Sequence, residues 1–135
     1  MTVQASVAVR NAGLDAYETT IGTSAILRIR TGAQPANVAA ASSGTVLATL
    51  NLASDWMAAA SGGTKALAGT WEDLSADATG TAAHWEITAS DGTTRHLQGS
   101  VTVTGGGGDL TVDNVSFAAA QAFSITSFTW TAGNA

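Results

Sequence analysis

The chain of 135 residues has a length typical of one domain, and its ten acidic and five basic side chains give a net charge of −5. Nucleic-acid binding draws most of its affinity from phosphate neutralisation, so this acidic balance argues against a nucleic-acid partner. The absence of cysteine excludes disulfides, thiolate metal sites and a cysteine nucleophile. No apolar run reaches the length of a membrane span and the first ten residues lack a signal-peptide pattern, so we expect no membrane partner and synthesis in the cytoplasm.

The surface is expected to be poor in charge. Only 11% of the residues are charged, against roughly 25% in typical soluble domains. Such a neutral surface favours a protein that packs against copies of itself or against a partner. The alternative is a monomeric domain that simply carries few charges. We predict a single β-rich domain over residues 1–135, with residues 1–10 as a candidate N-terminal arm.

The first segment has the spacing of a helix. Val7, Leu14, Tyr17 and Ile21 fall near one face at helical intervals. Ser6 is well placed to cap the start and Gly22 to end the helix, while Gly13 weakens it by up to about 1 kcal/mol relative to Ala. The alternative is a β-arm from Val3 to Val9, in which apolar and small residues alternate.

The next segments alternate as strands do. We predict strands over Ala25 to Thr31, Thr45 to Leu52 and Lys65 to Trp71, with a loop from Gly32 to Gly44. In the second strand the inner face is expected to hold Val46, Ala48, Leu50 and Leu52. Between the second and third strands, Trp56 and Met57 form an apolar pair that we expect near the surface.

Asp91-Gly92 predicts a β-hairpin, because a type I′ turn needs positive φ at both central residues. The first strand contains Trp85 and the return strand runs from Thr94 to Thr104. With a two-residue loop, Thr88 lies opposite Arg95 and Glu86 opposite Leu97. Arg95 is then diagonal to Glu86, within reach of a modest surface ion pair.

The last third contains a tetraglycine, Gly105 to Gly108, that predicts a long flexible turn. Leu110 to Phe117 follows as a strand that Asp113-Asn114 could interrupt. Phe123 to Thr131 closes the chain, and its apolar positions change phase part-way. Either a bulge lies near Ser127, or both faces are buried and a partner chain covers one of them.

These elements predict a mainly β fold. Six or more short strands separated by turns favour a single-domain antiparallel β-sandwich or barrel-like sandwich, with one short N-terminal helix.

No motif in the sequence favours catalysis or a cofactor. His84 and His96 are expected on opposite faces of the hairpin, which argues against a joint metal site. There is no Gly-x-Ser-x-Gly, and the acidic stretches at Asp73 to Asp77 and Asp109 to Asn114 lack the spacing of an EF-hand. The tetraglycine precedes a strand and not a helix, so it does not form a phosphate loop. We therefore predict no enzyme activity, no cofactor and no metal.

Aromatic residues near loops and termini are the candidates for an interface, since aromatics are enriched at protein contacts. Ordinary core packing is the alternative for Trp56 and Trp130, and is the stronger expectation for Trp85. The candidate interface residues are Val3, Val7, Trp56, Met57, Trp71, Phe128 and Trp130.

Four stretches together resemble small virion structural proteins of tailed bacteriophages. They are Ile21 to Gly32, Gly44 to Leu50, Gly80 to Ile87 and Gln98 to Gly108. Their shared features are turn glycines and strand residues, so the resemblance concerns a scaffold and includes no catalytic residue.

The resemblance implies a capsid decoration, or cement, protein on the head surface of the virion, bound to the major capsid protein at capsomer junctions. It also implies a homotrimer, because decoration proteins commonly sit at local three-fold axes. The alternatives are a tail or tail-fibre component, with host-sugar binding through exposed Trp56 or Trp71, and a hydrolase in which His84 or His96 meets a carboxylate.

Overall fold

The computed structural model describes residues 3–132, which form one helix and eleven short strands. The helix α1 spans Val7–Ile21. The strands are β1 (Ile26–Arg30), β2 (Val46–Asn51), β3 (Thr64–Ala66), β4 (Trp71–Asp73), β5 (Gly80–Thr81), β6 (His84–Thr88), β7 (Arg95–Val103), β8 (Leu110–Val112), β9 (Ser116–Phe117), β10 (Phe123–Ile125) and β11 (Thr129–Thr131).

Helix α1 begins and ends where the sequence predicts. The Ser6 hydroxyl accepts a hydrogen bond from the Val9 N–H at 3.2 Å, and the Gly22 N–H donates to the Glu18 carbonyl at 2.9 Å. Gly22 has a φ of 93°, which favours glycine. The alternative β-arm is wrong from Val7 onward, because the Ser6 cap starts the helix there; residues 1 and 2 of the candidate arm lie outside the described residues.

A five-stranded sheet in the order β2-β1-β6-β7-β8 curls into a half-barrel. Four of these strands pair antiparallel, but β8 runs parallel to β7, with Val101 opposite Leu110 and Val103 opposite Val112. The prediction of a purely antiparallel fold is therefore wrong. The physical reason is the tetraglycine loop. It brings the chain back beside Val101 of β7 before β8 begins, so that β8 runs in the same direction as β7, whereas a hairpin would reverse the direction.

Three two-stranded sheets complete the β structure of residues 3–132: β10-β4, β11-β3 and β5-β9. The predicted strand from Lys65 to Trp71 is split into β3 and β4, with Gly69 at a φ of 71° between them. The predicted closing strand is likewise split, because β10 pairs with β4 and β11 with β3. This break, and not burial of both faces, explains the phase change near Ser127. The predicted interruption at Asp113-Asn114 is confirmed.

Two bulges correct the predicted registers. In the hairpin, Thr88 pairs with Arg95 as expected, but a bulge shifts the ladder so that Glu86 lies opposite Gln98 and not Leu97. In β2 the ladder skips Leu47, which is fully buried in place of the half-buried Val46. The other predicted inner residues, Ala48, Leu50 and Leu52, are buried as expected.

The core is one cluster of buried side chains from the end of α1, the strands and the loops between them. Trp56 and Met57 are 0% and 1% exposed, so the prediction that they lie near the surface is wrong. The Trp56 indole donates to the Gly22 carbonyl at 2.9 Å, and the Trp71 indole donates to the Trp56 carbonyl at 3.1 Å. These bonds tie the helix end, the following loop and β4 together around the two indoles.

Candidate functional site

A groove of about 540 Å³ runs between α1, β7 and β11. Helix α1 forms one wall, β11 forms the other, and Trp85 of β6 contributes to the lining together with β7 residues. The polar and aromatic side chains of the lining include Arg10, Tyr17, Trp85, Asp109 and Trp130.

Aromatic rings form a continuous cluster beside the groove. Tyr17 lies 5.5 Å from Trp130 between ring centroids, and Trp130 makes an edge contact with Phe128 at 5.7 Å. Phe128 in turn meets Trp85 edge-on at 5.4 Å. Tyr17 is 48% exposed and Trp130 is half-buried, so these two rings are the accessible end of a cluster whose other members are buried.

Two groove-lining donors have no hydrogen-bond acceptor among the described residues: Trp85 Nε1 and Arg10 Nε. Trp85 is 3% exposed, because its indole lies across Gly99 of the neighbouring strand. Arg10 packs over Gly63, and its Nη1 donates to the Ala132 carbonyl at 3.4 Å. Both atoms have almost no accessible surface, so they lie beneath the groove lining and not in its open space.

The groove lining also contains a carboxylate, that of Asp109, whose charge is opposite in sign to that of Arg10. Asp109 follows the tetraglycine, and its Oδ2 accepts hydrogen bonds from the Ser100 N–H and hydroxyl at 2.9 and 3.1 Å. The second oxygen, Oδ1, has no partner among residues 3–132. The groove thus holds one positive and one negative side chain.

A smaller hollow of about 300 Å³ adjoins the groove and shares Gly13, Tyr17 and Leu97 with it. It continues along α1 past Ala16 and Thr20, with His96 on the strand side. The two hollows therefore adjoin at these shared residues.

The outer face of α1, which we define as Val9, Ala12, Gly13, Ala16 and Thr20, is exposed and carries no charge. These positions recur at the three- and four-residue spacing of one helix face. The charged residues of the helix lie elsewhere. This arrangement reverses the usual pattern of a surface helix, in which the solvated face carries the charges.

The inward charges of α1 meet the buried Lys65. Its ammonium lies 2.6 Å from Asp15 Oδ1 and 2.9 Å from Glu18 Oε2, and it donates to the Ala58 carbonyl at 2.9 Å. Burial alone would lower the pKa of Lys65, but the hydrogen bonds to Asp15 and Glu18 outweigh it, and the pKa is raised. The hydrogen bond from Lys65 lowers the pKa of Asp15.

A second ion cluster surrounds Glu86, which is 1% exposed. Arg30 and Arg95 each place Nε 2.7 Å from one of its oxygens, and the Ser42 hydroxyl donates at 2.8 Å. The predicted proximity of Arg95 to Glu86 is thus confirmed, but the pair is buried and not a surface ion pair. Burial alone would raise the pKa of Glu86, yet hydrogen bonds from Ser42 and Arg30 leave it lowered.

The Glu86 cluster also anchors the loop of residues 31–45. Arg95 donates to the Val38 and Ala40 carbonyls, and Gln98 donates to the Pro35 carbonyl at 2.8 Å. The buried charges therefore have a structural role in holding this loop against the sheet.

The candidate interface residues divide into two groups. Val3 is 85% exposed and Val7 is 46% exposed, whereas Trp130 is half-buried at the groove. The remaining four are buried in the chain's own core; they are Trp56, Met57, Trp71 and Phe128. Their burial also overturns the idea of sugar binding through exposed Trp56 or Trp71.

Sequence reasoning missed Tyr17, Arg10 and Asp109 as neighbours in one site. Tyr17 has the helical spacing of Leu14 and Ile21, which are buried as predicted, so its exposure had no signal in the periodicity. Their proximity depends on the turn that returns β8 along β7, and on the packing of α1 beside β11.

The histidines are not brought together with a carboxylate pair. His84 is 1% exposed, and its Nδ1 lies 3.0 Å from the Gly32 carbonyl, which only a protonated Nδ1 can satisfy. Within residues 3–132, no group of three or more potential ligand side chains is arranged to hold a metal ion. No helix in this part of the chain is long and apolar enough to span a membrane.

Comparison with known proteins finds no match: no family model, no curated protein and no solved structure is similar to this chain.

Proposed function

We propose that this protein is a non-enzymatic virion structural protein of a tailed bacteriophage, and specifically a capsid decoration protein. It binds the major capsid protein at capsomer junctions on the head surface and stabilises the assembled head. It is made in the host cytoplasm and acts as a homotrimer on the virion. The observation that supports this proposal best is the uncharged outer face of α1.

The outer face of α1 suits permanent contact with protein. Val9 is 62% exposed there, and Val3, which precedes the helix, is 85% exposed. Asp15 and Glu18 pair with Lys65 on another side of the helix. Contiguous apolar surface without charge is typical of interaction sites, and depletion of charge characterises the centre of an interface.

We propose that the sheets pack as a barrel-like sandwich, which gives the decoration protein a rigid body. The half-barrel sheet provides one layer, and β4 with β10 provides part of the other. Support comes from the Thr49 N–H, which donates to Asp73 Oδ2 at 2.9 Å, and from Asp77, whose N–H donates to the Leu47 carbonyl at 2.8 Å. These bonds join β2 to the β4 side of the molecule.

The number of copies of the protein per particle tests its location on the virion. Quantitative mass spectrometry of purified virions should give a simple ratio to the major capsid protein, amounting to hundreds of copies per particle. A few copies per particle would favour the alternative, a tail or tail-fibre component that acts in assembly or receptor binding. Absence from the particle would overturn a virion role.

A charged substitution on the outer face of α1 tests whether this face is a contact surface. Ala12→Glu keeps a good helix former but places a carboxylate at its centre. We expect it to abolish trimers in sedimentation velocity, or to prevent binding to heads that lack the protein. Ala36→Glu, in an exposed loop, is the matched control. Equal behaviour of the two variants would contradict a role for this face.

A further inference from the structure

We propose that the groove between α1, β7 and β11 binds a short saccharide, with one sugar ring against Tyr17 and Trp130. The site does not depend on the virion role proposed above, and it is tested on the isolated protein.

The size of the groove fits a small ligand. Ligand sites typically enclose roughly 300–1,000 Å³, and the groove of about 540 Å³ lies in this range. The adjoining hollow of about 300 Å³ is lined by Ala16 and Thr20 of the outer face of α1 and is not part of the proposed site.

The exposed rings provide the apolar contact. The C–H groups of a pyranose ring form a flat apolar face, and Tyr17 and Trp130 present tilted aromatic rings to the groove, 5.5 Å apart and at 58° to each other. Tyr17 is half-exposed although it belongs to a cluster whose inner members are buried. A sugar seated here would cover that ring.

Polar side chains of the lining provide the hydrogen bonds. The half-buried Arg10 guanidinium lines the groove, and a sugar hydroxyl can accept from it. Asp109 Oδ1 is an acceptor without a donor, and the same hydroxyls can donate to it. Hydroxyl groups are suited to a site that offers both donors and acceptors.

The charge balance favours a neutral ligand. Arg10 and Asp109 line the same groove, so an anion would meet the carboxylate and a cation would meet the guanidinium. A purely apolar ligand would cover Arg10 and Asp109 without offering them hydrogen bonds. A peptide that extends β11 would gain little, because that strand has only three residues, Thr129–Thr131, to pair with.

The indole N–H signals of the four tryptophans give a direct test by ¹H–¹⁵N NMR. The probes are maltotriose, cellotriose, mannotriose and triacetylchitotriose, titrated into the full chain. At least one probe should shift the Trp85 indole signal together with the Tyr17 and Leu97 amides. The Trp56 and Trp71 indoles donate to backbone carbonyls inside the core and serve as internal controls.

Substitution of the platform ring completes the test. Tyr17→Ala should weaken binding of the active probe about tenfold, while Leu74→Ala, an exposed apolar change outside the groove, should leave it unchanged. The proposal is overturned if no probe shifts the Trp85 indole, or if Tyr17→Ala binds as well as the parent chain. It is also overturned if a threonine–valine hexapeptide shifts these signals and the saccharides do not.

Discussion

Lys65 and Asp15 form a close ion pair, Nζ to Oδ1 at 2.6 Å, between a strand of the small β11-β3 sheet and the middle of α1. Lys65 is 2% exposed, yet it bonds both Asp15 and Glu18. Asp15 Oδ1 also accepts from the Ala60 N–H at 2.9 Å. One lysine therefore joins two carboxylates of α1 to strand β3.

Replacement of Lys65 should loosen the helix. Lys65→Met keeps the apolar stem but leaves Asp15 and Glu18 facing each other without a cation. We expect a loss of about 2 kcal/mol in the free energy of unfolding by urea, less than for a fully buried pair because both carboxylates reach solvent. Glu72→Met, at an exposed position of β4, is the control. An equal loss in both variants would contradict the structural role of the Lys65 pair.

Neutralisation of Glu86 should destabilise the sheet and free the loop. Glu86→Gln leaves Arg30 and Arg95 buried without a counter-charge, which should cost about 3 kcal/mol in urea unfolding. Limited proteolysis should then cleave residues 31–45 faster than in the parent chain. Glu72→Gln, on an exposed position of β4, removes the same charge and should change neither measurement.

Stability should fall in acid because of Glu86. Hydrogen bonds hold its pKa below the ordinary value of 4.5, so the unfolded chain binds the proton more readily than the native one. The contribution of Glu86 is therefore complete above pH 4.5 and is lost as the pH falls through the lower, native pKa. Urea midpoints from pH 3 to pH 7 should show a shallower acid slope for Glu86→Gln than for the parent; equal slopes would contradict the assignment.

Two glycines should respond to alanine with opposite signs. A Cβ at Gly108 would lie 2.8 Å from Thr102 Oγ1, so Gly108→Ala should cost about 1–3 kcal/mol and disturb the β7–β8 turn. Gly13, within α1, has nothing within 4 Å of its Cβ position. Gly13→Ala should therefore raise the unfolding free energy by up to about 1 kcal/mol. Changes of the same sign in both variants would contradict the packing of the turn.

Local chemistry made several elements predictable from the sequence. The Ser6 cap, the Gly22 end and the apolar spacing between them specify α1, and the alternation of β1 identifies Leu27 and Ile29 as buried. These features depend on neighbouring residues alone, so the helix bounds and the mainly β character follow from residue type and spacing.

Tertiary structure decided the features that link distant segments. The parallel pairing of β8 with β7, the bulges at Leu47 and in the hairpin, and the division of the closing strand between β4 and β3 depend on long-range pairing, which single-residue preferences do not determine. The candidate site likewise depends on contacts between distant segments. Tyr17 is exposed although its spacing matches that of buried neighbours, because β11 and β7 leave a groove beside that part of α1, whereas Trp56 is buried because the chain folds back around its indole.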